Sequence, residues 1–256
     1  MKKGKRLPLS VAIISFNEEE DIANTLESIK DIAGEIVVVD SHSGDSTREI
    51  ATSYGATVYE EDWKGHIEQK NSALQKCTQE WILSVDCDEV VTDKLKDEII
   101  RAVKETAADG YFVNRRTVYL GRLLKHAWQP EWRLRLVRRG SSPVWSGYNP
   151  HDVLRIQGTT ARLQGALLHY SFRDIKDHFS KVVAYSKIVA GSYHKEGKKF
   201  RVYNLVVNPF YAFIKEYLLK GAIFDGLRGL IVGVSVTCYT FLKYLYLWEL
   251  EQQDKG

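Results

Sequence analysis

WILSVDCDE, residues Trp81–Glu89, is the stretch on which the reading of this chain turns. Trp81 to Val85 is bulky or β-branched apart from Ser84, the composition of a buried strand. It runs straight into Asp86, Cys87, Asp88 and Glu89, three carboxylates in four residues. Clustered carboxylates repel and each loses hydration on burial, so a core strand gains nothing by ending this way. A divalent cation reverses the sign of that cost. Hard oxygen donors on a short turn suit Mg²⁺ or Mn²⁺, with further sites left for phosphate oxygens. The competing reading is a solvated acidic turn before a helix that starts near Thr92.

Upstream of this stretch, strands and helices alternate. Leu9–Ser15 reads as a buried strand that Phe16-Asn17 ends, and Asn17 with Glu20 makes a capping-box pattern for a helix carrying Ile22, Leu26 and Ile29. Glu35–Asp40 gives a second strand. Ser46 and Glu49 form another capping box for a helix to about Tyr54, Gly55 stops it, and Ala56–Tyr59 is a short third strand. A helix over His66–Cys77 then delivers the chain to Trp81. The connections are too long for hairpins, so the pattern predicts an α/β fold with a parallel sheet covered on both faces. Such sheets bind ligands beyond the carboxyl ends of their strands, where this sequence places Ser15-Phe16-Asn17-Glu18, Asp40-Ser41 and Asp86-Cys87-Asp88. No GxGxxG and no GxxxxGK[ST] follows the first strand, which argues against a dinucleotide dehydrogenase and a P-loop enzyme. Asp40 reads either as a helix cap or as an acceptor for a base or ribose.

At 256 residues the chain can bury a sizeable core, and 27% charged with 44% hydrophobic residues is ordinary for a globular protein. A net charge of +3 is too small to argue for nucleic acid. Cys77, Cys87 and Cys238 are scattered and form no CxxC, so neither a zinc site nor a disulfide framework is expected, and a reducing compartment is. The apolar run Val11–Ser15 behind the basic N-terminus is too short for a signal peptide, so no export is expected.

The segments IISFNEEEDI, IVVVDSHSGDST, QKNSAL and ILSVDCDE, in that order and on those strand ends, resemble the nucleotide-binding half of family 2 glycosyltransferases with the GT-A fold. The resemblance covers roughly residues 9–110. It implies that Phe16 and Asp40 hold a uracil with help from Lys70, and that Asp86 and Asp88 lie against the nucleoside and its metal-bound diphosphate, Asp88 as the direct ligand. The candidate donor-binding set is then Ser15, Phe16, Asn17, Glu18, Asp40, Lys70, Asn71, Asp86, Cys87 and Asp88, with Arg135 from further on. Family members often carry Tyr where Phe16 stands, which keeps a stacking role and removes a hydroxyl contact.

Gly110–Thr117 alternates as a strand. From Arg115 to Arg139 there are eight Lys or Arg residues and one acid, Glu131, interleaved with Tyr119, Trp128 and Trp132. This is either a solvated basic face or an electropositive wall for phosphate, which Arg matches in a bidentate way. No RNP or KH pattern accompanies it, so no nucleic acid is expected. In VWSGYNPHDVLRI the loop residues Gly147, Asn149 and Pro150 precede a strand from Val153 that re-enters the sheet. YLGRLLKHAWQPEWRLRLVRR, the Pro-His-Asp tripeptide and LLHYSFRDIKDH resemble the subgroup that adds sugars to the lipopolysaccharide inner core, which implies Asp152 as catalytic base. His169, after the apolar run Ala166–Leu168, reads as an ordinary edge histidine or as a further metal ligand with Asp86 and Asp88.

Asp174–Tyr193 looks helical, HKEGKKFR is a basic loop, and Pro209–Leu219 is aromatic and apolar. Arg228 and Lys243 bracket fourteen uncharged residues, short of the ~20 that span a bilayer, so an interfacial or core helix is expected. The aromatics among Tyr239–Trp248, with Lys215, Lys220 and Lys243 near, suit a membrane interface or packing on protein. The organisation expected is a catalytic domain over 1–170 (donor side 9–110, acceptor side 111–170) and a helical region over 171–256. The function expected is inverting, metal-dependent transfer of a hexose, glucose by the subgroup resemblance, from a UDP-sugar to a lipid-linked oligosaccharide. The expected setting is the cytoplasmic face of an anionic membrane, with homo-oligomerisation left open. A polyprenyl-phosphate glycosyltransferase, a nucleotidyltransferase and a non-catalytic nucleotide-sugar-binding module are the alternatives.

Overall fold

The structure, a computed structural model, describes residues 7–148 and 151–254; the basic N-terminal residues and the Asn149-Pro150 loop expected before Asp152 lie outside the described residues. Two compact units are formed, one containing the chain to Arg115 and Glu131–His169, the other Arg116–Pro130 and the chain from Tyr170. The division expected at residue 170 therefore differs by the segment 116–130, which groups with the C-terminal region.

In the first unit β1 (Leu9–Ser15), α1 (Ile22–Ile29), β2 (Glu35–Asp40), α2 (Thr47–Ser53), β3 (Thr57–Glu60), α3 (His66–Lys76) and β4 (Trp81–Ser84) follow one another as the sequence predicts. Beyond them come β5 (Glu89–Val91), α4 (Asp93–Glu105), β6 (Gly110–Tyr119), β7 (Arg122–Leu123), β8 (Trp132–Arg138), β9 (Val144–Tyr148), β10 (His151–Arg155) and β11 (Thr160–Phe172). The sheet order is β3-β2-β1-β4-β8-β6-β11-β5, with β7 paired to β6. Strands β1 to β4 are mutually parallel, and β8 runs antiparallel to β4.

Alternation along β1 fixes the layers. Leu9, Val11 and Ile13 join Ile22, Leu26 and Ile29 of α1 and Leu95 and Ile99 of α4 in one core, while Ala12 joins Ala73 and Leu74 of α3 in the other. Both faces of the sheet are thus covered. Thr92 caps α4, accepting the Leu95 N–H at 3.3 Å. Gly165 on β11 lies so close to α4 that an added Cβ would sit 2.3 Å from the Leu95 Cα.

Several expectations are corrected. Neither capping box forms: Asn17 adopts φ 54° and bonds across to the Ser43-Gly44 turn, so α1 starts only at Ile22. Asp45, not the Ser46 side chain, receives the Thr47 N–H. β5, unseen in the sequence, begins at Glu89 and pairs with β11. The strand after Val153 does not re-enter the main sheet; β10 pairs with β9 in a separate two-stranded hairpin. His169 lies inside β11, opposite Glu89, rather than at a strand end.

The second unit holds α5 (Ile175–Lys195), α6 (Val207–Phe213), a π-helical turn (Ile214–Leu219) and α7 (Leu227–Gln253). Asp174 caps α5 by accepting the Asp177 N–H at 2.7 Å. Its aromatic core surrounds His178, whose ring Nδ1 meets the Tyr119 hydroxyl at 2.8 Å and whose pKa burial pushes down to about 4.

Gly165→Ala should lower stability by about 1–3 kcal/mol, because the nearest obstacle is backbone that cannot rotate away. Urea denaturation measures it; an unchanged midpoint would show that β11 and α4 have room to separate.

Candidate active site

Parallel strands β1, β2 and β4 end together, and their following loops interlock. Asp40, at the end of β2, is fully buried and accepts from the Ser15 hydroxyl (2.7 Å), the Ser43 hydroxyl (2.6 Å) and the Ser43 N–H (2.7 Å). The Glu18 N–H donates to the Thr47 hydroxyl at 2.8 Å. These bonds build a polar floor from Ser15, Asn17, Glu18 and Asp40, over which Phe16 stands 56% exposed. Asp40 therefore faces inward, toward the serines, rather than outward toward a base.

At the end of β4 the acidic turn is pinned from below. The Thr25 hydroxyl of α1 donates to the Cys87 carbonyl at 2.6 Å. Cys87 itself is buried with its thiol against the Ile14 carbonyl, and burial beside several carboxylates pushes its pKa well up, so its side chain offers nothing to a ligand.

The Asp86 carboxylate lies between two cations: Lys70 Nζ at 3.0 Å from Oδ1 and Arg135 Nη2 at 3.0 Å from Oδ2. Burial alone would raise its pKa, but Lys70, Arg135 and Arg115 outweigh that and hold it well below the usual carboxylate range. Glu89, fully buried, accepts from Arg135 (2.7 Å), Arg115 (3.3 Å) and the Asp86 N–H (3.0 Å). Glu131 receives both Arg115 (2.9 and 2.6 Å) and Arg133 (2.7 Å). Four carboxylates (Asp86, Glu89, Glu131, Asp152) thus face four cations (Lys70, Arg115, Arg133, Arg135). Four of the eight cations of the basic stretch, Arg115, Arg133, Arg135 and Arg138, meet carboxylates and so are not a free electropositive wall.

The resemblance implies that Lys70 helps to hold a uracil; the side chain of α3 that reaches the Asp40-Ser41 turn is Gln69, one residue before, through Ser41 at 3.1 Å. Lys70 instead joins Asp86 to Asp152, whose Oδ2 is 2.8 Å from Nζ, and lies over the Trp145 ring at 4.5 Å. Asn71 holds the hairpin that carries both partners: its amide exchanges hydrogen bonds with the Trp145 backbone N–H (2.8 Å) and carbonyl (3.0 Å). Its amide group is thus engaged with protein. Arg135 stacks toward the same ring, and its Nε and Nη1 are buried with no hydrogen-bond partner among the described residues.

Asp88 points the other way, with Oδ2 3.2 Å from His169 Nε2. Burial would raise the Asp88 pKa, but His169 outweighs it and the net shift is downward. A carboxylate oxygen and an imidazole nitrogen side by side suit a hard or borderline divalent cation. The third expected ligand, Asp86, is directed at Lys70 and Arg135. No three His, Cys, Asp or Glu side chains converge on one point among the described residues. Sequence reasoning missed Glu89, Arg115 and Trp145; the signal available was that Glu89 closes the acidic turn and needs a buried cation.

The sequence model described as "Glycosyl transferase family 2" matches residues 10–157, more than half of the chain. The chain is a family 2 glycosyltransferase. It is 32% identical to the lipopolysaccharide core biosynthesis glycosyltransferase LpsC of Rhizobium meliloti (strain 1021), over 95% of this chain and 93% of that one. An uncharacterized glycosyltransferase of Rickettsia typhi is 29% identical over 97% of this chain and 89% of its own. Among solved structures, this glycosyltransferase is similar to the mannosyltransferase PcManGT from Pyrobaculum calidifontis in complex with GDP-Man and Mn²⁺ (TM-score 0.52, 15% identity, 99% of this chain and 89% of that one). It is also similar to S. aureus TarS 1-349 in complex with UDP-GlcNAc (TM-score 0.50, 12% identity, 96% and 92%). The fold of this glycosyltransferase is GT-A.

The ion network sets an acid dependence. Burial raises the Glu131 pKa, but Arg115 and Arg133 outweigh it and bring the group from 4.5 to about 2. A depressed carboxylate contributes stability above its unfolded pKa and loses it as pH falls through the folded one. Stability should therefore fall by about 3 kcal/mol from this group as pH drops from about 4.5 to about 2. Denaturant titrations of the parent and Glu131→Gln across that window check this; parallel slopes in the two proteins would refute it.

Proposed function

We propose that this glycosyltransferase is inverting and metal-dependent, moving a hexose, glucose by its subgroup resemblance, from a UDP-sugar to a hydroxyl of a lipid-linked saccharide such as lipopolysaccharide inner core. The observation that carries the reading is the Lys70 ammonium shared by Asp86 and Asp152. With contacts of 3.0 and 2.8 Å it keeps a carboxylate at the donor end of β4 and a carboxylate on the hairpin within about 6 Å of each other. A base so near the donor end can take the proton of an acceptor hydroxyl as that oxygen attacks the anomeric carbon. The name of the Rhizobium relative supports the acceptor class, and the ligand of the TarS fragment supports a UDP-sugar donor.

Exposed Phe16 would stack on the uracil, with the Ser15–Glu18 and Asp40 floor shaping the pocket rim. Asp88 and His169 would hold Mg²⁺ or Mn²⁺, which supplies positive charge to the departing UDP. The charge balance supports this. The cations around Asp86 already face as many carboxylates, so a diphosphate entering without its own cation would leave negative charge unpaired. Holding both substrates in line supplies much of the remaining rate. The reading places the enzyme at the cytoplasmic side of the membrane that carries its acceptor.

UDP release from UDP-glucose with a phosphorylated inner-core acceptor tests the proposal. Asp152→Asn keeps the shape but cannot accept the proton, so turnover should fall about 10²–10⁴-fold with donor affinity nearly unchanged. Near-normal turnover would reject Asp152 as base; loss of donor binding and turnover together would make it a donor-site residue.

A further inference from the structure

The segment Val202–Leu230 of the second unit is built inside out. Val202, Val206 and Phe210 recur at helical spacing and are 68–75% exposed, and Leu219, Phe224 and Leu227 are 71–78% exposed. Three of its polar side chains are instead engaged within the unit. Asn204 is buried and accepts the Arg201 N–H at 2.9 Å. Glu216 is buried and takes the Trp128 N–H at 2.6 Å, and Asp225 accepts the backbone N–H groups of Lys125, His126 and Ala127 at 2.8–2.9 Å. An apolar face of this extent in water marks a partner.

Charge selects the partner. Lys199, Arg201 and Lys215 are exposed on or beside this stretch, while the two acids between Lys199 and Leu230 are engaged within the unit: Glu216 with the Trp128 N–H and with Lys220 at 2.9 Å, Asp225 with the Lys125–Ala127 backbone. A second copy would bring the same positive charges to the contact and repel. An anionic lipid surface offers both acyl chains for the aromatics and phosphates for the lysines.

We propose that this face rests on the anionic leaflet of a bilayer as a peripheral attachment. α7 is long and apolar enough to cross a membrane by length and composition. Its inward side, however, is packed as protein core: a Cβ on Gly229 would lie 1.7 Å from the Ala222 carbonyl oxygen, and one on Gly233 3.1 Å from the Phe213 ring. The outward face of Val202–Leu230, rather than α7 as a span, makes the lipid contact.

Co-sedimentation of the full chain with phosphatidylcholine vesicles, with and without about 30% phosphatidylglycerol, tests this. The parent should bind the anionic vesicles and weaken at least ~tenfold in about 0.5 M salt. Phe210→Ser with Phe224→Ser should weaken binding at least ~tenfold with thermal melting little changed, since both rings are mostly exposed and Phe224 meets the His126 ring at the edge of the unit. Lys199→Glu with Lys215→Glu should abolish the preference for anionic lipid. Parent protein left in the supernatant with both vesicles, or variants that bind like the parent, would overturn the proposal. So would binding that resists salt and alkaline extraction, the signature of α7 as a span, or phenylalanine variants that split a dimer while keeping vesicle binding. The measurement reads binding rather than turnover, so it stands apart from the glycosyl-transfer reading.

Discussion

The ammonium of Lys70 between Asp86 and Asp152 is the contact on which the candidate active site depends. A carboxylate taken out of water without a partner is costly to keep ionised, and Asp86 is half-buried just beyond the end of a core strand. Lys70 from α3 and Arg135 from β8 make its charge tolerable, and the same lysine draws in the hairpin that carries Asp152. Asn71, one residue on, fixes that hairpin through the Trp145 backbone. One turn of α3 therefore determines where two carboxylates lie.

Behind this contact the charges close on themselves. Glu89 and Glu131 divide Arg115, Arg133 and Arg135 among them, so the interior of the site is balanced before any substrate enters. On the proposed reading a diphosphate would bring its own positive charge, and Asp88 with His169, 3.2 Å apart on the β11 side, is the pair that would hold the cation. Separation of duties between two aspartates two residues apart follows from the turn: Asp86 is held from the α3 and β8 side, Asp88 from β11.

Much of the fold was legible because it rests on local periodicity. The alternation from Leu9 to Ser84, the cap at Thr92 and the helix from Asp174 are all written in adjacent residues. The site was legible as to which residues matter but less as to what they touch. Lys70 and Asp152 are 82 positions apart, and nothing in QKNSAL says that its lysine meets a carboxylate rather than a base. Glu89 read as one of three acidic turn residues until β5 turned it inward against two arginines. The capping boxes failed for a related reason: Asn17 accepts the Gly44 N–H and the Ser46 N–H goes to Glu19 rather than Glu49, tertiary demands that override the local ones. The inverted face of Val202–Leu230 has ordinary composition, and only knowing which side is buried reveals it.

The account stands most directly on calorimetry of UDP binding to the parent enzyme and to Asp88→Ala, in Mn²⁺ and in chelator. The charge balance predicts tight binding by the parent in Mn²⁺, and weak binding in chelator or without the Asp88 carboxylate. Equal affinity of the parent for UDP in Mn²⁺ and in chelator would contradict it.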